Sequence, residues 1–287
     1  MGIIDDLKLQ YRSGGIAIQL IFWNIGAAIV YFMIGAFFKP AAFSVNYWLL
    51  LSSSPSELIF KPWTLFTYAF LHGSLVHLIF NLLMLNFASR LFLTFFTQKQ
   101  FLGLYILAAV FSGLIFVLAY FLFKSTGILI GASGAIMGIM IAAAAYAPLY
   151  QVRLFLFGIV KLWHIAAAFL VIDLIQLPAD NMGGHIAHLG GAFFGFLYIK
   201  LLKGGTDLSA IITSSINFFV TFLKPRKALP FKKVHKNAPR PRQKPTGSIA
   251  IKDKTQQQID EILDKISRSG YGSLTKEEKE FLFRAGR

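Results

Sequence analysis

Long apolar stretches, separated by short polar segments, dominate the first two hundred residues of the chain. Six of them approach or reach the length of a membrane span, at residues 16–38, 75–96, 101–123, 132–149, 154–177 and 186–202. An α-helix rises 1.5 Å per residue, so about 20 apolar residues cross the roughly 30 Å of hydrocarbon in a bilayer. The pattern predicts an all-α membrane protein, a bundle of six transmembrane helices. We expect the first stretch to stay as a helix, because it lacks the cleavage site of a signal peptide.

Four regions follow from this pattern. Residues 1–15 form an N-terminal region, and residues 16–202 form the six-helix membrane domain. Residues 203–250 predict a basic, proline-rich linker, since the segment 224–245 holds nine basic residues, five prolines and no acidic residue. The remaining region, 251–287, has apolar residues at helical spacing and predicts a small extension of two short helices.

Composition and charge add an orientation and exclude several kinds of chemistry. The chain is 56% hydrophobic and 14% charged, about half the charged fraction of soluble domains. It has no cysteine, which excludes disulfides, thiolate metal sites and a cysteine nucleophile. The net charge is +15, of which residues 200–287 carry +11. Cytoplasmic flanks of spans collect Lys and Arg, so the basic tail and N-terminus predict that both termini are cytoplasmic.

The basic tail also bears on partners. A run of basic residues next to a membrane is attracted to anionic lipid, so we expect membrane lipids to be a partner. Nucleic acid is not expected, because no aromatic platform or nucleic-acid-binding fold accompanies the basic run.

Polar side chains are few within the predicted spans, and they concentrate at one depth. With the orientation above, the second, fourth and sixth spans begin on the outer side. Near those three beginnings lie His72, His77 and Asn81, then Ser133, then His185 and His188. A polar group inside a bilayer is costly and is normally functional. The pattern therefore predicts one site, in the outer leaflet, built by three helices.

The residue types at this depth are typical of nucleophilic catalysis. Ser133 sits in the first turn of the fourth span, where free N–H groups and the helix dipole favour a developing negative charge. Gly134 and Gly138 form a GxxxG pattern in that span, and Gly191 and Gly195 form another in the sixth, a pattern that lets helices approach closely. Close approach would bring Ser133 within reach of a histidine of the sixth span, as a nucleophile with its general base.

These residues resemble the rhomboid family of intramembrane serine proteases, over roughly residues 15–202. "HGSLVHLIFN" is similar to the family's H-x4-H-x3-N motif, "GASGAIMG" to its GxSG motif, and "AHLGGAFFG" to its H-x2-G-x3-G motif. The tail resembles the cytoplasmic extensions of bacterial members, which implies a bacterial inner membrane. One departure is visible: the family often has Trp-Arg in the first loop, and here Thr64 follows Trp63.

The resemblance implies a role for each matched residue. Ser133 is the expected nucleophile and His188 the general base, and together they form a dyad. The expected oxyanion donors are His77, Asn81 and the Ser133 backbone N–H. The expected supporting residues are His72, Gly131, Gly134 and His185, with His185 polarising or capping the start of the helix. We expect transmembrane proteins as substrates, and neither a cofactor nor a metal.

Several alternatives stay open at this stage. His188 is favoured over His185 as the base because it continues the stripe of Gly191 and Gly195, although both histidines share one helix face. Lys161 and His164 are expected to be structural, and Asp173 is expected to serve in helix contact or gating rather than catalysis. The main functional alternative is a catalytically inactive rhomboid-like protein that binds transmembrane segments. A metalloprotease and a transporter are disfavoured, because no HExxH motif and no evident inverted repeat are present.

Overall fold

The structure is a computed structural model that describes residues 2–155, 157–178, 181–223 and 248–285. Contacts divide the chain into two compact units, Met1–Pro225 and Arg226–Arg287. In chain order the helices of the first unit are α1 (Ile3–Ser13), α2 (Gly15–Phe37), α3 (Lys39–Leu49), α4 (Pro55–Phe60), α5 (Thr64–Thr67), α6 (Leu75–Leu93), α7 (Gln98–Leu122), α8 (Ser133–Tyr146), α9 (Leu162–Gln176), α10 (Met182–Lys203) and α11 (Ser209–Leu223). One 3-10 turn, Tyr68–Phe70, precedes α6.

The prediction of an all-α membrane bundle with six spans is confirmed. Helices α2, α6, α7 and α10 are each long and apolar enough to cross a bilayer. Three further apolar helices are shorter: α8 with 14 residues, and α9 and α11 with 15 residues each. Of these, α8 and α9 fall on the fourth and fifth predicted spans. Helix α8 contacts α6, α7, α9 and α10, and every residue from Gly134 to Ala144 is buried. The shortest span is therefore the centre of the bundle.

Two short antiparallel strand pairs accompany the helices. Strands β1 (Leu51–Ser52) and β2 (Ile128–Leu129) pair, and this contact ties the first loop to the segment that leads into α8. Strands β3 (Gln151–Leu154) and β4 (Gly158–Lys161) form a hairpin, in which Gly158 has a positive φ of 69°. The predicted start of the fifth span at residue 154 is therefore wrong, and the helix begins at Leu162. Apolar character alone does not separate a strand from a helix over so short a run.

The glycine patterns of the fourth and sixth spans meet each other, as predicted. A methyl group on Gly191 would overlap the carbonyl oxygen of Gly134, and one on Gly195 would overlap the carbonyl oxygen of Gly138. In the other direction, a Cβ on Gly138 would lie 3.0 Å from the Gly191 carbonyl oxygen. Backbone faces backbone at this contact, so a side chain could be admitted only by separating α8 from α10.

The first loop folds into α3, α4 and α5 and is held by buried polar contacts. Lys61 is 3% exposed, and its Nζ donates to the Tyr47 carbonyl at 2.9 Å and pairs with Glu57. Thr64, which stands where the family often has arginine, is buried and donates through Oγ1 to the Lys61 carbonyl at 2.7 Å. Local hydrogen bonds thus order this loop without the arginine.

Helix α11 was not predicted, and it lies inside the region 203–250 that the sequence assigns to a linker. Ser209, its first residue, is 2% exposed and packs against α7, where a methyl group on Gly103 would overlap its Cβ. The described part of the predicted linker is thus partly helical and packed. Its basic, proline-rich segment falls on residues 224–247, which lie outside the described residues.

Asp207 fixes the connection between α10 and α11. Its carboxylate accepts hydrogen bonds from the Tyr198 hydroxyl at 3.0 Å, the Ser209 N–H at 2.9 Å and Gln100 Nε2 at 3.2 Å. Partial burial raises the pKa of Asp207, but the hydrogen bonds from Ser209, Tyr198 and Gln100 outweigh this and leave the pKa below its ordinary value of 3.8. A lowered pKa in the folded state means that the ionised carboxylate stabilises the fold above that value, and that this stability is lost as the pH falls through the folded pKa.

Two truncated chains should show that α11 contributes to the stability of the membrane domain and that the chain after residue 223 does not. A chain ending after residue 205 lacks Asp207 and Ser209, so we expect its thermal unfolding midpoint in detergent at pH 7 to fall by several degrees. A chain ending after residue 223 keeps both residues and should unfold within error of the full-length protein. Equal midpoints for the two truncated chains would contradict a packing role for α11.

The second unit contains α12 (Ser248–Ser269) and α13 (Lys276–Ala285), joined through a 3-10 turn at Tyr271–Ser273. Gly270 ends α12 with a positive φ of 75°. Thr275 and Glu278 form the reciprocal hydrogen bonds of a capping box at the start of α13, and Lys265 of α12 pairs with Glu278 at 2.8 Å. The C-terminal region thus holds two helices, of which α13 is short and α12, with 22 residues, is longer than the sequence predicts.

Candidate active site

Ser133 is the first residue of α8, and the segment before it is shaped by a glycine. Gly131 has a φ of 116°, and its N–H donates to the Tyr68 carbonyl at 3.0 Å. A Cβ at Gly131 would lie 2.7 Å from Cε1 and Nε2 of His77, so a side chain there would both strain the backbone and displace the imidazole. The glycine therefore sets the turn into α8 and lets His77 approach it.

Helix α6 delivers His77 and Asn81 from one face. Ser74 caps the helix by accepting the His77 N–H at 3.1 Å, and Asn81 Nδ2 donates to the His77 carbonyl at 2.8 Å. An amide nitrogen carries two hydrogens, so one remains for another acceptor. His72 is fully buried, and its ring lies edge-on to the His77 ring at 5.2 Å between centroids.

Helices α9 and α10 bring a carboxylate to both histidines of the sixth span. Asp173 is 3% exposed, and its Oδ1 lies 2.8 Å from Nδ1 of His185 and 2.8 Å from Nδ1 of His188. An ionised carboxylate only accepts hydrogen bonds, so a neutral imidazole beside it carries its hydrogen on Nδ1 and keeps the lone pair on Nε2. That is the tautomer in which a neutral histidine can take a proton through Nε2.

One cavity of about 510 Å³ is lined by polar groups of three predicted spans and by Asp173 of a fourth, whereas His72 does not line it. Its polar lining includes His77, Asn81, Ser133, Asp173, His185 and His188, and its apolar lining includes Phe80, Met84, Ile136, Met137, Met140 and Phe169. The side chain of His188 is 21% exposed and that of His185 11%, so His188 has the greater access to this space.

Ser133, His188 and Asp173 are thus placed around one cavity as a nucleophile, a base and an orienting acid would be. In the part of the chain that the structure describes, no hydrogen bond joins Ser133 Oγ to either histidine. Catalytic hydrogen bonds are often long without substrate and tighten when it binds.

Comparison with known proteins assigns the chain to a family. A family model described as "Rhomboid domain" matches residues 60–204, which is half of the chain. The chain belongs to the rhomboid family. A second model, described as "Family of unknown function (DUF6576)", matches residues 250–284.

Among curated rhomboid relatives, similarity is confined to part of each protein. Presenilin-associated rhomboid-like protein A, mitochondrial, of Danio rerio is 30% identical over 137 residues, 46% of this chain and 35% of that protein. Presenilin-associated rhomboid-like protein, mitochondrial, of Homo sapiens is 29% identical over 153 residues, 52% of this chain and 39% of that protein. The chain thus matches less than half the length of these relatives.

Residues of all three rhomboid motifs lie around one cavity, and their expected catalytic roles stay predictions. His77, Asn81, Ser133, His185 and His188 line one cavity, and Gly131 and Gly134 make the close contacts beside it. His164 and Lys161 do not belong to this group. The His164 ring lies 4.0 Å from the Trp163 ring, tilted by 58°, near the start of α9. It is nine residues before Asp173, about 13 Å along the helix.

Asp173 makes the helix contact that the sequence predicts, between α9 and α10. The sequence did not predict its partners, which are both histidines of α10. A signal was present, because Asp173 is the one acidic residue within the six predicted spans. A carboxylate at membrane depth is costly and marks a functional position.

Proposed function

We propose that this rhomboid-family protein is an intramembrane serine endopeptidase that hydrolyses peptide bonds in or beside the transmembrane segments of membrane proteins. One observation carries the proposal: a serine at a helix N-terminus shares a cavity with a histidine whose Nδ1 is held by a buried carboxylate. Nucleophile, base and orienting group are the parts that serine hydrolysis requires.

The acylation step uses Ser133 and His188. Ser133 Oγ attacks the scissile carbonyl carbon while His188 Nε2 takes the hydroxyl proton. The tetrahedral intermediate collapses, the C–N bond breaks, and His188 gives that proton to the leaving amine. In the second step His188 takes a proton from water, the resulting hydroxide attacks the acyl-serine, and Ser133 regains its proton as the carboxylic acid product departs.

The charge that develops on the carbonyl oxygen needs donors beside Ser133. The Ser133 N–H lies at the start of α8, where N–H groups have no partner within the helix and the helix dipole is positive. His77 and Asn81 line the same cavity from α6, and the Asn81 amide has a second hydrogen that could donate there. Removing one such donor from a serine hydrolase typically costs about 2.7–4 kcal/mol of transition-state stabilisation.

Asp173 extends the expected dyad. Its hydrogen bond keeps the His188 hydrogen on Nδ1, directs Nε2 away from the carboxylate, and stabilises the imidazolium that forms during attack. His185 shares the same carboxylate oxygen and so acts as a positioning residue beside the base.

Membrane-spanning proteins suit this cavity as substrates. Its apolar wall, which includes Phe80, Met84, Met137, Met140 and Phe169, offers a dry surface to an apolar side chain. The basic flanks support cytoplasmic termini and a site in the outer leaflet. The relatives named above are mitochondrial by name, so a bacterial inner membrane stays a prediction.

A serine-directed probe tests the proposed nucleophile. We expect a fluorophosphonate to label the purified protein in detergent, with the adduct located on Ser133 by peptide mass spectrometry. The control is Ser125→Ala, which removes a serine in the loop before α8. Because labelling depends on an activated hydroxyl, we expect the probe to label this variant as strongly as the unsubstituted protein. An adduct on any other residue, or equal labelling of Ser133→Ala, would reject Ser133 as the nucleophile.

A further inference from the structure

Asp173, His185 and His188 form a cluster with a property that the peptidase mechanism does not use. Each offers one ligand atom, and the three atoms lie within 4.8 Å of one another. The second carboxylate oxygen, Asp173 Oδ2, is buried and has no hydrogen-bond partner among the described residues. A buried carboxylate oxygen without a partner is costly unless a cation or donor reaches it.

We propose that Asp173, His185 and His188 bind a zinc ion that inhibits the enzyme reversibly. The binding site stands on the geometry of the three residues alone, whereas the inhibitory effect rests on the proposed peptidase function. The proposal departs from the expectation drawn from the sequence, which included no metal.

The donor set matches the preference of Zn²⁺. Two imidazole nitrogens and one carboxylate oxygen are common zinc ligands, at about 2.0–2.2 Å from the metal, and three protein ligands with one open position are typical of accessible zinc sites. The ligand atoms already approach one another, since each Nδ1 lies 2.8 Å from Oδ1 of Asp173. The cavity would supply water for the fourth position.

Charge also favours the ion. The cluster contains one carboxylate and two imidazoles, so a dication leaves a net charge of +1 when both rings are neutral. A zinc ion would also place a cation beside the carboxylate whose Oδ2 has no hydrogen-bond partner among the described residues. Mg²⁺ prefers oxygen ligands in octahedral geometry and should not compete.

Inhibition follows from the tautomer of His188. Zinc coordinated by Nδ1 displaces the hydrogen that Nδ1 donates to Asp173, and a neutral ring then carries its hydrogen on Nε2. The same change occurs in His185. A ring with Nε2–H has no lone pair for the Ser133 proton, so the metal removes the base without touching the nucleophile.

Zinc binding is tested in the Ser133→Ala background, so that no readout depends on cleavage. Tag-free protein in detergent is titrated with zinc chloride by calorimetry, alone and with His185→Asn or His164→Asn added. His164 lies on α9 outside the cluster and is the matched control. We expect one zinc per chain, at least about tenfold weaker binding with His185→Asn, and unchanged binding with His164→Asn. Unchanged affinity in the His185→Asn protein would overturn the site.

Two further measurements separate the site from its effect. X-ray absorption of the zinc-loaded Ser133→Ala protein should show two imidazole nitrogens at about 2.0–2.1 Å, and a spectrum without imidazole ligands would overturn the site even if His185→Asn failed to fold. Zinc should lower cleavage by the unsubstituted protein, and a chelator should restore it. Cleavage that rises with zinc would overturn inhibition, whereas a protein that never cleaves would refute the peptidase and leave the binding result to stand.

Discussion

Replacing His188 with alanine is expected to lower the rate of substrate cleavage by roughly 10⁴-fold or more, because members of a nucleophile–base unit act together. The alanine leaves Ser133 Oγ without a proton acceptor at Nε2 and leaves the leaving amine without a donor. The measurement is single-turnover cleavage of a labelled transmembrane substrate, with enzyme in excess.

His185→Ala is the comparison that decides between the two histidines. Both bond to Asp173 Oδ1 and both line the cavity, but the His188 side chain is the more exposed of the two. We expect His185→Ala to retain measurable cleavage, because Asp173 still orients His188. If the His185→Ala protein shows no cleavage while the His188→Ala protein remains active, His185 rather than His188 is the general base.

Replacing Asp173 with asparagine is expected to lower cleavage by about 10²–10⁴-fold while the fold persists, because the imidazole loses its orienting acceptor. Asparagine has nearly the same shape, but its Nδ2 donates. A donor facing either Nδ1 drives that ring towards the tautomer with hydrogen on Nε2, which cannot act as a base. The loss should appear in the rate of the chemical step rather than in substrate binding.

The control for this substitution is Asp6→Asn, the same change at an exposed position of α1. It should cleave as the unsubstituted protein does, and both variants should elute from a sizing column as folded species. Wild-type cleavage by the Asp173→Asn protein would mean that Ser133 and His188 act as a dyad, as the sequence alone suggests.

The parts of the fold that follow from local pattern could be predicted from the sequence. Apolar stretches of span length predict α2, α6, α7 and α10, and two GxxxG patterns predict the contact of α8 with α10, where Gly191 meets the Gly134 carbonyl. The sequence could also predict that the site residues lie close together, because each lies near the end of its span that is expected to face the outer side.

The parts that depend on packing between distant segments could not be predicted. Helix α11 is short, and its burial against Gly103 comes from a contact across more than a hundred residues. Much of residues 151–161 lies in an apolar stretch that predicts a helix, and only the structure shows that this segment forms two paired strands. Asp173 is 12 and 15 residues from its two histidine partners, so only the packing of α9 on α10 reveals that one carboxylate serves both.

Cleavage of a labelled transmembrane substrate by the purified protein in liposomes tests whether Ser133 is the nucleophile of an intramembrane peptidase. We expect the unsubstituted protein to cut the substrate in or next to its transmembrane segment, and Ser133→Ala, reconstituted to the same level, to yield no product above background. Equal cleavage by both proteins, or no cleavage of any transmembrane substrate by a folded unsubstituted protein, would contradict this proposal.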